Sequence, residues 1–114
     1  MVDNVTSVNT PTFIVNEAVA LRNITAFQSH CNEVGLALRP HIKTHKSIHF
    51  AKAQMAAGAI GITCQKISEA EAMINSGIND ILITFNIIAL KNWAACVPYQ
   101  AVLPLYRSLR TMQK

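Results

Sequence analysis

The chain has 114 residues, 51% of them hydrophobic, and carries 10 Lys+Arg against 6 Asp+Glu, for a net charge of +4 and a pI near 9.2. That apolar share excludes an intrinsically disordered chain and suffices for one small core. The positive balance favours anionic ligands without naming one, and because the cations are scattered, a polybasic nucleic-acid arm is not indicated.

Cys31, Cys64 and Cys96 are odd in number, widely spaced and free of any C-x-x-C pair, so neither a disulfide framework nor a zinc ribbon is suggested. A reducing compartment is the simpler reading. Asp3 stands where a leader would carry basic residues, and no apolar run approaches the roughly 18 residues of a spanning helix. The expectation is a cytoplasmic chain without a membrane partner.

In chain order the hydrophobic pattern alternates between the strand and helix periods, as in βα units around a parallel sheet. Residues 12–15 predict a short strand after Pro11. Ala20, Ile24, Phe27, Cys31 and Val34 then recur at three- and four-residue steps, one face of a helix, which Gly35 closes in the left-handed conformation. Residues 36–43 predict a strand, Ser47 a cap for a helix over 48–57, and Gly58 its end. Residues 60–65 predict another strand. Ser68 and Glu71 form the ends of an expected capping box, opening a helix that Gly77 closes. Residues 80–86 predict a third core strand, apolar enough to be covered by helices. Beyond Ile88 the pattern weakens at Trp93, Pro98 and Pro104. The expected organisation is therefore an α/β unit over residues 1–88 and a divergent helical tail over residues 89–114.

Alternation along the strands puts Lys43 on one face with His41 and Arg39, Gln65 with Thr63 and Gly61, and Asn86 with Thr84 and Leu82. The opposite faces are apolar. In parallel α/β folds the carboxyl ends of strands carry the chemistry, which singles out Lys43, Gln65 and Asn86. Polar strand ends meet solvent in any fold, so Gln65 and Asn86 are individually weak signals. Lys43, flanked by His41, His45 and Arg39, is a stronger one. The small Gly61 and Thr63 leave room there for something flat and bulky. A lysine nucleophile needs its ammonium form destabilised by burial or by nearby positive charge, and Arg39 and Lys46 would supply the charge. The same cluster serves plain anion binding equally well. His45 and His49 have the four-residue spacing of a metal-binding helix, but two ligands do not make a metal site.

The run Leu38-Arg39-Pro40-His41-Ile42-Lys43-Thr44-His45-Lys46-Ser47 closely resembles the R-P-H-x-K-T-H-K segment of the D-threonine aldolase and D-serine dehydratase family, whose N-terminal domain is alanine-racemase-like. A second block, from Gly58 to Lys66 and on through Ser68-Glu69-Ala70-Glu71 to Ile83, agrees in order and spacing, as does the leading Thr10-Pro11-Thr12-Phe13. The resemblance implies a partial (β/α)8 barrel of about three βα units preceded by a strand and helix. It also implies pyridoxal 5'-phosphate as cofactor, held through a Lys43 Schiff base, with His41, Arg39 and Gln65 as further cofactor-binding residues. The implied activity is that of a lyase on D-β-hydroxy amino acids, either aldol cleavage or dehydration.

A whole barrel takes about 250 residues, and the family adds a C-terminal domain that binds a divalent metal, whose ligands are absent from this sequence. The chain is thus expected to be an N-terminal fragment, inactive alone unless it assembles. Open sheet edges and unpartnered apolar faces favour association with a second copy. The alternatives are a pyridoxal-phosphate-binding homeostasis protein without turnover, and a fragment that neither binds nor catalyses.

Overall fold

A computed structural model describes residues 8–85. Among these the first regular element is helix α1 (Glu17–Glu33), capped by Asn16, whose side chain accepts from the amide of Val19 at 3.1 Å. No strand forms over residues 12–15. Phe13, Ile14 and Val15 are exposed there, and a strand without a neighbour would leave its amides and carbonyls unpaired. The helix ends as expected, with Gly35 at φ +70°. Its buried face is rotated slightly from the predicted stripe, because Gln28 and Cys31 are buried while Phe27 and Val34 are exposed.

Residues 36–41 run extended beside the sheet but form only an isolated parallel bridge, His41 to Thr63. The amide of Ile60 donates to the carbonyl of Leu38 at 2.9 Å, and that of Thr63 to the carbonyl of Pro40 at 2.7 Å. Pro40 has no amide to return the ladder, so the predicted strand is reduced to this one-sided edge. It also ends early. A 3-10 turn (Ile42–Thr44) begins where the strand was expected to continue, so Lys43 stands on the turn.

Helix α2 (Ile48–Ala57) starts on Ser47, whose hydroxyl accepts from the amide of Phe50 at 3.4 Å, and stops at Gly58 with φ +121°. Strand β1 (Ile62–Cys64), helix α3 (Ile67–Asn75) and strand β2 (Ile81–Ile83) follow, making one βα unit with its next strand. β1 and β2 pair in parallel, with Ile62 opposite Ile81, Thr63 opposite Leu82 and Cys64 opposite Ile83. Three helices and two parallel strands fit part of a barrel, fewer full strands than predicted.

The predicted capping box is displaced. Helix α3 begins two residues earlier than a Ser68 cap requires, and Glu69 closes it by accepting from the amides of Gln65 at 2.9 Å and Lys66 at 3.4 Å. The acid belongs at the third helical position, where its carboxylate reaches the orphan amides of the first turn. Glu71 sits two residues too far along.

The core lies on one face of the sheet. Ile62, Cys64, Ile81 and Ile83 point into it and meet Ile42 from the turn, Ala51 from α2, and Ala70 and Met73 from α3. Ile42, Ile62, Met73, Ile81 and Cys64 are essentially sealed from water, and each large apolar side chain buried in this way contributes about 1.5–3 kcal/mol. The same burial of Ile42 pins the turn that carries Lys43. Residues 86–114, including Asn86 and the tail expected over 89–114, lie outside the described part.

Candidate functional site

The opposite face of the sheet is layered by the register. Arg39, Gly61 and Asp80 form its first level, and His41, Thr63 and Leu82 the second. Continuing the register past the strands puts Thr84 level with Gln65; the amide of Thr84 still donates to the carbonyl of Cys64 at 3.3 Å. Thr84 is therefore the described residue on the β2 side that comes nearest the level of Gln65. Sequence alternation gives the face of each strand but not this register.

Arg39 is committed at the first level. Its guanidinium lies across Gly61 and pairs with the Asp80 carboxylate at 2.6 Å. Gly61 is needed there because a Cβ would run into the guanidinium and stand 2.7 Å from the Asp80 carbonyl oxygen. The space that Gly61 opens is thus filled by the chain's own flat group. Thr63, at the next level, is buried.

Lys43 is exposed on the 3-10 turn. His41 and His45 flank it with the same local device. The Lys43 amide donates to His41 Nδ1 at 3.3 Å, and the Ser47 amide donates to His45 Nδ1 at 3.0 Å. Each ring, when neutral, therefore carries its proton on Nε2. Burial lowers the pKa of His45 from its ordinary value, with the Gln54 carboxamide acting in the opposite sense. His45 Nε2 and Gln54 Oε1 are both buried, and neither has a partner within hydrogen-bond geometry. His49, by contrast, pairs with Glu17 at 2.7 Å and ties α2 to α1. The two histidines do not share a helix, and among the described residues no group of three or more His, Cys, Asp or Glu is arranged to hold a metal ion.

Lys46 is also occupied. Its ammonium lies 3.3 Å from Glu69 Oε1. Burial would raise the pKa of Glu69, but the Gln65 amide, the Lys46 ammonium and the Lys66 amide together hold it below the ordinary carboxylate range. Of the two cations expected to act on Lys43, Arg39 is thus paired with Asp80 and Lys46 with Glu69. Among the described residues, the ion pairs engage Arg39, Lys46 and His49, leaving Lys43 outside them. Asp80 and Glu69 are the two residues sequence reasoning did not assign to the site. Glu69 could have been recognised as the third helical residue after Lys66.

The buried Cys64 thiol is not a nucleophile, since burial and then the nearby Glu69 charge push its pKa up to about 11. Cys31 and Cys64 are both free. No described helix is long and apolar enough to cross a membrane.

The sequence and fold have counterparts among known proteins. The chain is 40% identical over 86 residues to a D-threonine aldolase of Arthrobacter sp, covering 75% of the chain and 23% of that protein. It is 42% identical over 82 residues to a D-threo-3-hydroxyaspartate dehydratase of Delftia sp. strain HT23, covering 72% and 22%. The crystal structure of D-threonine aldolase from Filomicrobium marinum superposes with a TM-score of 0.77 at 36% identity, over 81% of this chain and 25% of that one. The chain belongs to the D-threonine aldolase and D-serine dehydratase family. It spans about a quarter of the length of these family members. No family model matches the sequence.

Proposed function

We propose that this chain supplies the cofactor lysine of a pyridoxal-phosphate-dependent lyase acting on D-β-hydroxy amino acids, with Lys43 forming the Schiff base. The observation that carries the reading is the exposed Lys43 amine on a turn anchored by the fully buried Ile42, at the carboxyl end of the parallel sheet, where ligands of such folds gather. The names of the relatives, an aldolase and a dehydratase, support the two reaction types.

The residues present fit the aldehyde end of the cofactor. Lys43 offers an amine free of ion pairing among the described residues, and Gln65 and Thr84 are level with each other at the adjoining strand ends. When bound, the cofactor supplies an electron sink for the charge left at Cα. The protein's own part is binding and proton placement. Lys43 would anchor the cofactor, Gln65 would lie beside it, and His41, whose Nδ1 accepts from the Lys43 amide, would keep an Nε2 proton for hydrogen bonding on that side. Arg39 would act from the level below, where it is held by its pairing with Asp80.

The test is to mix the 114-residue chain with pyridoxal phosphate, reduce with borohydride and map the adduct. A single adduct on Lys43, lost in Lys43→Ala, is the expected result; a folded protein labelled only at Lys46, Lys52 or Lys66 would refute the assignment. Loss of D-threonine or D-threo-3-hydroxyaspartate by the loaded protein identifies the lyase, whereas specific Lys43 labelling without turnover identifies a cofactor-binding protein.

A further inference from the structure

Lys43 stands on a single 3-10 turn, too short to be rigid by itself. The turn is closed by the amides of His45 and Lys46, which donate to the Ile42 carbonyl at 3.2 and 2.8 Å. Ile42 holds one side of it in the core. The other side leaves through Lys46, whose backbone is left-handed at φ +49°. That conformation is uncommon for a residue with a Cβ, and it persists where surrounding contacts over-determine it. Two contacts hold Lys46 here, its amide on the Ile42 carbonyl and its ammonium on Glu69.

Glu69 makes two kinds of connection at once. Oε2 accepts from the amides of Gln65 and Lys66, which ends β1 and starts α3. Oε1 faces the Lys46 ammonium. The carboxylate is almost buried, at 8% side-chain exposure, while the Lys46 side chain is 57% exposed. One acid therefore fastens the exit of the Lys43 turn to the backbone of Gln65. Nothing in the helix requires this second connection, because the cap is complete on Oε2 alone.

We propose that Glu69 is a positioning residue, which through Lys46 sets the Lys43 turn against the Gln65 strand end so that the amine and the neighbouring wall of the pocket meet the cofactor in a fixed relation. The proposal rests on Lys43 being the cofactor lysine. It predicts that the ion pair acts on the turn more than on the overall fold.

Lys46→Met removes the ion pair while leaving the cap of α3 untouched, and Glu69→Gln removes the charge while keeping an acceptor for the Gln65 amide. Two readouts separate positioning from general stability. Hydrogen exchange on the cofactor-free chain should show the His45 and Lys46 amides losing protection about fivefold in both variants, with the Ile62 amide of the sheet unchanged in Lys46→Met. The rate of borohydride-trapped labelling of Lys43 should fall by a similar factor. The double variant should be no slower than Glu69→Gln, since both changes cut one connection, and Lys46→Arg should restore the rate.

Wild-type exchange and labelling in Lys46→Met would overturn the proposal. So would loss of protection at Ile62 equal to that at Lys46, which would make the pair a general stabiliser. An unlabelled Lys43 in the wild-type chain would sink the cofactor reading instead, while the exchange measurement, which needs no cofactor, still decides whether the pair holds the turn.

Discussion

Replacing Gly61 with alanine tests the layering of the candidate site directly. The new Cβ would meet two groups of different stiffness: the Arg39 guanidinium and the backbone carbonyl of Asp80 at 2.7 Å. The guanidinium can swing away, at the expense of its pair with Asp80. That pair is partly solvated, with side-chain exposures of 24% and 58%, so its loss costs roughly 0.2–1 kcal/mol. The carbonyl cannot move as freely, because it accepts from the Ile62 amide at 2.9 Å and begins the β1–β2 ladder. Overpacking of this kind costs about 1–3 kcal/mol. The expected total is about 1–4 kcal/mol, equivalent to a fall in Tm on the order of 5–30 °C for a domain of this size.

Thermal melts followed by circular dichroism would measure it. Arg39→Met alone should cost under about 1 kcal/mol, and adding it to Gly61→Ala should recover only the part due to the guanidinium. A Gly61→Ala protein melting within about 2 °C of wild type would refute the close approach. An Arg39→Met cost equal to that of Gly61→Ala would show that the ion pair, and not the backbone contact, dominates.

Two further outcomes follow from buried titratable groups. Because the pKa of His45 is lowered in the folded state, its contribution to stability is fully present above the ordinary histidine value near 6.5 and is lost as pH falls below it. Urea midpoints measured from pH 8 to pH 5 should decline for wild type more than for His45→Asn; equal slopes would contradict the half-buried neutral ring. Glu69 is lowered too, so its share is present above the ordinary carboxylate value and disappears only in more acidic solution. With its thiol pushed up to about 11, Cys64 should resist iodoacetamide at pH 8 in the native chain and react once urea unfolds it. Rapid native labelling of Cys64 would place it outside the core.

The elements legible in the sequence were those specified by interactions within a few residues. Gly35, Gly58 and Gly77 all adopt positive φ at the ends of their helices, and Ser47 caps α2 through an amide three residues away. Such signals survive without tertiary context because each carries its own geometry. The same locality explains why the R-P-H-x-K-T-H-K run could point to the family: its chemistry lies in a short stretch of chain.

What required the tertiary structure was whatever depended on two distant segments meeting. Period-two alternation carried Lys43 onto a strand, yet Pro40 withholds an amide and the burial of Ile42 turns the chain into a 3-10 turn instead. Alternation likewise named the faces of β1 and β2 but left their offset open, so only the observed register brings Thr84 beside Gln65. The charges around Lys43 were visible in the composition, whereas their pairing, Arg39 with Asp80 across Gly61 and Lys46 with Glu69, was not. By itself the sequence determined which lysine to watch and where the helices stop. The packing of the turn on β1 and the reach of Lys46 to Glu69 on α3 decided what surrounds that lysine, because an ion pair exists only once folding has brought its two ends within reach.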